Sequence, residues 1–291
     1  MAVYKMDGTE LSELYDKDGV ALLSAWDKNA NLVFSAVNGL TVASYNVGGW
    51  YYGGGTNVPA EKDDAYYRMQ FETLQNINAD ILCIEEFWTM FSQSGRTAAS
   101  LLSQFYPYIE TRNGTDQYFG RAICSKYPIT SYTSNLFTGE TKRYYDVASI
   151  NVYGRTIYAF VTHFSTSSDA SVRVTEATEI NNYIDAKGFD KFFVCGDFNV
   201  AVLDPLSEYN RQVFGPFLND GDALANGGAF GVFETYSRNS TYDDNLSVDN
   251  IIVSKAFTID AVHIDTTKVT FQATNGDKID HIPLVAHISF N

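Results

Sequence analysis

The chain has 291 residues, of which 45% are hydrophobic, 15% aromatic and 19% charged; this composition fills a globular interior rich in sheet and excludes a disordered chain. A net charge of −15 argues against a broad basic surface for wrapping nucleic acid, because Lys and Arg supply most non-specific affinity for phosphate, but it leaves room for a local basic site. No apolar run approaches the roughly 18 to 20 residues of a membrane helix, and the first residues lack the basic-then-apolar order of a signal peptide. A soluble protein without an integral membrane segment is therefore expected, either cytoplasmic or secreted with its leader removed.

Residues 1–38 carry an 11-residue repeat, in which Tyr4, Tyr15 and Trp26 are each followed by a turn: Asp7-Gly8, Asp18-Gly19 and Asn29-Ala30. Asp-Gly between strand formers favours a tight hairpin, so a small β-hairpin or meander appendage is expected. The spacing of Asp16, Asp18 and Asp27 lacks the terminal glutamate of an EF-hand, which removes a calcium loop from consideration.

From residue 39 to 291 no linker divides the chain, and the texture is that of one domain. LTVASYNV reads as a strand, a Gly- and Tyr-rich loop follows, Ala60 to Asn76 reads as an amphipathic helix, and ADILCIEEF as a buried strand. A helix is expected near Arg96 to Phe105, then strands at YPYIET, GRAICSKYPI, YDVASINVYG and RTIYAFVTHF, and a helix from Ala170 to Ala186. The strand KFFVCGDFNV is followed by an irregular stretch to Gly231 and by three further strands, SVDNIIVS, FTIDAVHID and PLVAHISF. Many strands with few helices between them predict an α/β (α+β) sandwich, two sheets face to face with helices outside. Cys83, Cys124 and Cys195 lie in apolar runs and read as reduced packing residues.

Polar side chains stand at the ends of four of these runs: Asn46, Glu86, Asp197 with Asn199, and Asp280 with His281. Strand ends that converge on one rim can build a site that no single segment holds. Such an oxygen-rich set suits a hard divalent cation, with Mg²⁺ taking one or two carboxylates and leaving places for water and phosphate. Each residue alone also fits a bland role: Asn46 a turn, Glu86 a solvated strand end, Asp197 and Asn199 an Asx turn. An extended chain through GDFN would point Asp197 and Asn199 to one side and Phe198 to the other. Between Arg96 and Arg143 the segment carries +3 in an otherwise acidic chain, a local basic patch or a solvated face.

Taken together, SYN (44–46), DILCIEE (80–86), GRAICSKYPI (120–129), VTHFS (161–165), GDFN (196–199), SVDNIIVS (247–254) and DHIP (280–283) resemble the endonuclease/exonuclease/phosphatase superfamily. The resemblance implies a DNase I-like, four-layer α-β-β-α sandwich and a divalent-metal-dependent phosphodiester hydrolase using Mg²⁺, or Mn²⁺ in its place. It implies Glu86 as the main metal ligand, with Asn46 beside it and Asp280 as a further metal-side contact; Glu85 replaces a glutamine frequent in the family. His281 resembles the general base, Asp249 its orienting partner, and His163 a second catalytic histidine, with Glu110 as its supporting partner. Asn199 would donate to a phosphate oxygen, Asp197 would orient water, and Arg143 would contact substrate phosphate.

The expected substrate is nucleic acid, DNA or RNA, on the strength of the basic segment and of His163, which occurs among non-specific DNases of the superfamily. A phospholipid substrate is the alternative, since sphingomyelinases and phospholipases C share the histidine context and Trp50, Tyr51 and Tyr52 could meet a lipid surface. A phosphatase member of the same superfamily is a further alternative. A non-catalytic binding module is the contrasting class, and the intact residue set speaks against it.

Overall fold

The computed structural model describes residues 14–15, 21–22, 24–26, 32–35, 39–48, 60–87, 97–112, 120–140, 142–200, 212–218, 248–264 and 281–291. Trp50, Tyr51, Tyr52, Arg96 and Asp280 lie outside them.

Four short strands precede the main body. β1 (Leu14–Tyr15) pairs antiparallel with β2 (Ala21–Leu22), on either side of Asp18-Gly19, and β3 (Ser24–Trp26) with β4 (Leu32–Ser35), on either side of Asn29-Ala30. These are the pairings that turn residues between strand formers favour.

The main body has two sheets. The six-stranded sheet holds, in spatial order, β14 (Phe257–Ile264), β15 (Leu284–Phe290), β5 (Gly39–Asn46), β6 (Ile81–Glu85), β8 (Arg121–Ser125) and β7 (Tyr108–Arg112). The five-stranded sheet holds β13 (Asp249–Val253), β12 (Phe192–Asp197), β11 (Arg155–His163), β10 (Tyr144–Val152) and β9 (Ile129–Leu136).

Parallel neighbours need a crossover, and both crossovers here are helical. β5 reaches β6 through α1 (Ala60–Ile77), and β11 reaches β12 through α3 (Ala170–Lys187). α3 starts where the Asp169 side chain accepts from Ser171 N and stops at Gly188 in the left-handed conformation (φ 65°). The short α2 (Ala98–Leu102) opens with a reciprocal cap between Thr97 and Ser100.

Strand alternation sorts the side chains into layers. On β6, Leu82 and Ile84 pack outward with Leu74 and Ile77 of α1 and Leu101 and Leu102 of α2, whereas Ile81 and Cys83 face the other sheet. Ala177, Ile180 and Ile184 of α3 join Phe160 and Phe192 in the second core cluster. The result is the expected four-layer α-β-β-α sandwich. All three cysteines are buried and free, as apolar packing residues should be.

β9 was not foreseen. Its sequence ITSYTSNL is mostly polar and partly exposed at the sheet edge, so it lacks the apolar alternation by which strands are recognised. Among the described residues no helix is long and apolar enough to cross a membrane.

Candidate active site

One end of the sandwich collects the polar strand ends. In the five-stranded sheet His163 lies beside Asp197 in parallel register, and Asp197 opposite Asp249 in antiparallel register, so three adjacent strands end in one row. In the six-stranded sheet Asn46 pairs with Glu85, with Glu86 immediately beyond.

Glycine makes this row possible. A Cβ on Gly196 would stand 2.1 Å from Thr162 O, so only glycine lets β12 lie this close to β11 just before Asp197. Similarly, a Cβ on Gly120 would fall 1.6 Å from Phe87 O, while Phe87 N donates to Gly120 O at 2.9 Å; this contact fixes the chain just after Glu86.

Glu86 and Asn199 are both non-glycine residues with left-handed backbone, φ 52° and 49°, a costly conformation that clusters at functional sites. The extended reading of GDFN is corrected accordingly. β12 ends at Asp197, whose Oδ1 accepts from Asn199 N at 2.8 Å in an Asx turn, and Asn199 reaches the rim through that turn. Phe198 does turn into packing, fully buried against Phe164, Phe214 and Phe217.

Asp197 Oδ2 is the hub. Asn46 Nδ2 donates to it at 3.2 Å and to Glu86 Oε1 at 3.2 Å, so one amide ties the two sheets together at the rim. His163 Nε2 lies 3.7 Å from Asp197 Oδ2, and His281 Nε2 lies 3.6 Å from the same oxygen. His163 Nδ1 is 3.9 Å from Glu86 Oε1. His281 Nδ1 lies 2.8 Å from Asp249 Oδ2; an ionised carboxylate there requires a proton on Nδ1 and leaves the Nε2 lone pair facing the hub.

Asp197 is only 3% exposed. Burial, reinforced by Asp249, lifts its carboxyl from the usual range to about 6, against the pull of His281 and its hydrogen bonds to Asn199 and Asn46.

Among the described residues one group at this rim has the ligand atoms for a hard cation within 4.8 Å of one another, Asp197 with Asp249 and His281; Glu86 lies beside it, tied to the Asn46 amide. The rim gathers the carboxylates of Asp197, Asp249 and Glu86 around two imidazoles and one amide, a donor set that fits a site completed by positive charge.

The remaining expected residues occupy other positions. Glu110 sits on the edge strand β7, two strands beyond β6 and level with Cys83, two residues inward from the rim. Arg143 donates through Nη1 to His163 O at 3.1 Å and to Phe164 O, so it braces the chain behind His163. Asn199 Nδ2 donates to Phe164 O at 2.8 Å, which commits one of its two amide hydrogens.

The basic segment divides. Arg121 is wholly buried, with Nε 3.0 Å from Asp146 Oδ2 between the sheets, and Lys126 Nζ binds Asn78 and Asp80 at the other end of β6. Arg112 stays half-buried, stacked 3.4 Å from the Tyr144 ring centre and bonded to Ser134 Oγ at 2.9 Å.

Glu85, the neighbour of Glu86, turns the other way. It is completely buried between the sheets, accepts from Ser44 Oγ at 3.1 Å, and among the described residues its Oε2 has no hydrogen-bond partner. Burial foremost, then Asp249, pushes this carboxyl well above its ordinary value. Alternation along β6 puts Glu85 on the inner face with Ile81 and Cys83, so the register of DILCIEE was the available signal.

A family profile described as "Endonuclease/Exonuclease/phosphatase family" matches residues 43–270. The chain belongs to this family. The family is one of phosphoesterases, hydrolytic enzymes. No curated protein matches the chain by sequence.

Among solved structures it is similar to an endonuclease/exonuclease/phosphatase from Beutenbergia cavernae, with 16% identity over 88% of this chain and 72% of that one and a TM-score of 0.62. It is also similar to D. rerio TDP2 complexed with single strand DNA product, with 15% identity, 87% and 100% coverage and a TM-score of 0.60. A third is sphingomyelinase C from Streptomyces griseocarneus, with 15% identity, 86% and 99% coverage and a TM-score of 0.59. At such identities the likeness establishes the endonuclease/exonuclease/phosphatase fold.

Proposed function

We propose that this protein is a divalent-metal-dependent phosphodiester hydrolase that cleaves nucleic acid by attack of water on phosphorus. The observation that carries the reading is the convergence of His281 Nε2 and His163 Nε2 on Asp197 Oδ2, with His281 Nδ1 held by Asp249.

A phosphodiester anion repels an incoming oxygen, so cleavage needs a base, an oriented water and donors for the phosphoryl oxygens. His281, oriented by Asp249, takes a proton from water at Nε2, and Asp197 orients that water; as the new P–O bond forms, the ester P–O bond opposite it breaks and the leaving oxygen takes a proton from solvent. Asn199 donates its second amide hydrogen, and His163 an N–H, to the non-bridging oxygens. Glu86 and Asn46 hold the cation, and Asp280, outside the described residues, is proposed as a further contact. Mg²⁺, or Mn²⁺, supplies charge at the phosphoryl oxygens when bound.

The nucleic-acid substrate is supported by Arg112, half-buried and stacked on the Tyr144 ring, on the strand next to β8. A relative of the same fold in complex with single strand DNA product is consistent with it.

The test offers the purified protein plasmid DNA, RNA and sphingomyelin vesicles with Mg²⁺, with Mn²⁺ and with EDTA. Plasmid nicking that EDTA abolishes is expected. Release of phosphocholine from the vesicles with intact plasmid would replace the nucleic-acid substrate with a phospholipid, and no hydrolysis of any of the three would refute the reading.

A further inference from the structure

The turn that follows His163 is held at six backbone groups. Arg143 Nη1 donates to His163 O and Phe164 O, Phe164 N donates to Asp197 O at 2.9 Å, and Asn199 Nδ2 donates to Phe164 O. From the helix side, Arg173 Nη1 donates to Ser165 O at 2.8 Å and to Ser167 O at 2.7 Å. The sixth group, Ser165 N, donates to Glu176 Oε2 at 2.9 Å.

Glu176 projects from α3 and is 2% exposed; among the described residues its Oε1 has no hydrogen-bond partner. A carboxylate is almost never this buried on a helix without a task, because burial disfavours its charge. We propose that Glu176 is a positioning residue: by holding the Ser165 N–H it fixes the turn that presents His163 to Asp197 and Glu86.

The grip depends on ionisation, since an ionised carboxylate accepts a backbone N–H more strongly than a neutral acid does. Burial lifts the Glu176 carboxyl to about 7. The Ser165 bond, Arg143 before β10 and Arg173 on α3 itself pull it down, and Glu140 in the β9–β10 turn pushes it up. Above about 7 the carboxylate holds the turn; as pH falls through that value a proton occupies it and the hold loosens. His163 is then placed less firmly, although its own surroundings are unchanged.

The kinetic consequence rests on the role proposed for His163, but the structural one does not. The deciding experiment is an amide NMR titration of the full chain in EDTA, without substrate. The Ser165 amide proton is expected to follow one transition near 7 that is absent in Glu176→Gln, a variant of the same shape that cannot ionise. A Ser165 amide that stays flat through neutrality, or a transition that survives in Glu176→Gln, would overturn the inference.

In turnover, Glu176→Gln should lower kcat by about 10-fold with KM unchanged, the split expected of a group that acts only in the transition state. It should also remove the acidic limb near 7 from the pH profile, and Glu176→Asp should restore part of it. An unchanged limb in Glu176→Gln would count against the inference even if kcat fell. Because the amide titration needs no substrate, a wild-type protein without hydrolase activity would refute the proposed function and leave the role of Glu176 to be decided by Ser165.

Discussion

Asp249 and His281, 32 residues apart in the chain, meet at 2.8 Å between Oδ2 and Nδ1, and Asp249 is at the same time the cross-strand partner of Asp197. The imidazole is thus aimed from β13 at a carboxylate on β12, and its tautomer is set from behind.

Asp249→Asn should therefore leave the fold intact and damage the reaction. An amide can donate to Nδ1 and stabilise the tautomer in which Nε2 carries the proton, which cannot accept one from water. We expect kcat to fall by roughly 10² to 10⁴, the usual worth of general-base help, with the thermal midpoint nearly unchanged. His281→Ala should fall in the same range, and the double variant should be no worse than the worse single one, because the two act as a unit. Turnover of a chromogenic phosphodiester, alongside melting curves, checks this.

The two adjacent glutamates should respond oppositely. Glu85 is buried between the sheets, facing away from Glu86, with its carboxyl pushed above the ordinary range by burial, and Glu85→Gln keeps its shape and an acceptor for Ser44 Oγ. Activity is expected within about 3-fold of wild type, as for a substitution that preserves packing and hydrogen bonding. Glu86→Gln removes a hard oxygen ligand and should cost about 10²-fold or more in turnover or metal affinity. Mg²⁺ titrations of both variants distinguish the residues.

Asp197 should carry a stability cost with a defined pH window. Its folded carboxyl stands at about 6, above the ordinary 3.8, so ionisation is less favourable in the fold than in the unfolded chain. The cost is absent below the unfolded value, grows between the two and is complete above about 6. Asp197→Asn should therefore melt higher than wild type in EDTA at alkaline pH, by on the order of 1 to 3 kcal/mol. The gain should vanish in acid, and the variant should be inactive throughout. A gain that is the same at both ends of the pH range would contradict the raised carboxyl.

Gly196→Ala places a methyl group against the Thr162 carbonyl, where 2.1 Å separates the positions. Strand β12 would have to move away from β11, carrying Asp197 with it. We expect a loss of about 1 to 3 kcal/mol in stability, as for other overpacked sites, and a disproportionate loss of turnover.

The sandwich and the rim residues were legible because they depend on local pattern. Alternating apolar runs announce strands, and a polar residue that ends such a run has few places to point except the rim. Arg121 and Glu85 were not legible in the same way: their burial depends on which strand faces which across the sandwich, a relation between distant segments that no local window contains. Glu176 escaped notice for a related reason. On a helix of mixed polarity a glutamate looks like solvent-facing surface, and only the tertiary contact with Ser165 shows that it faces inward. The basic segment misled by composition, since Arg121 is spent on Asp146 and Lys126 on Asp80.

The Asn46 amide donates to one carboxylate from each sheet, Glu86 on one side and Asp197 on the other. Neither sheet alone holds the proposed constellation; Asn46 and Glu86 come to it from one sheet, and His163, Asp197 and Asp249 from the other. A folding intermediate with both sheets formed but not yet docked would contain every named residue and hydrolyse nothing. If the proposed function holds, recovery of activity during refolding would therefore report the docking of the two sheets.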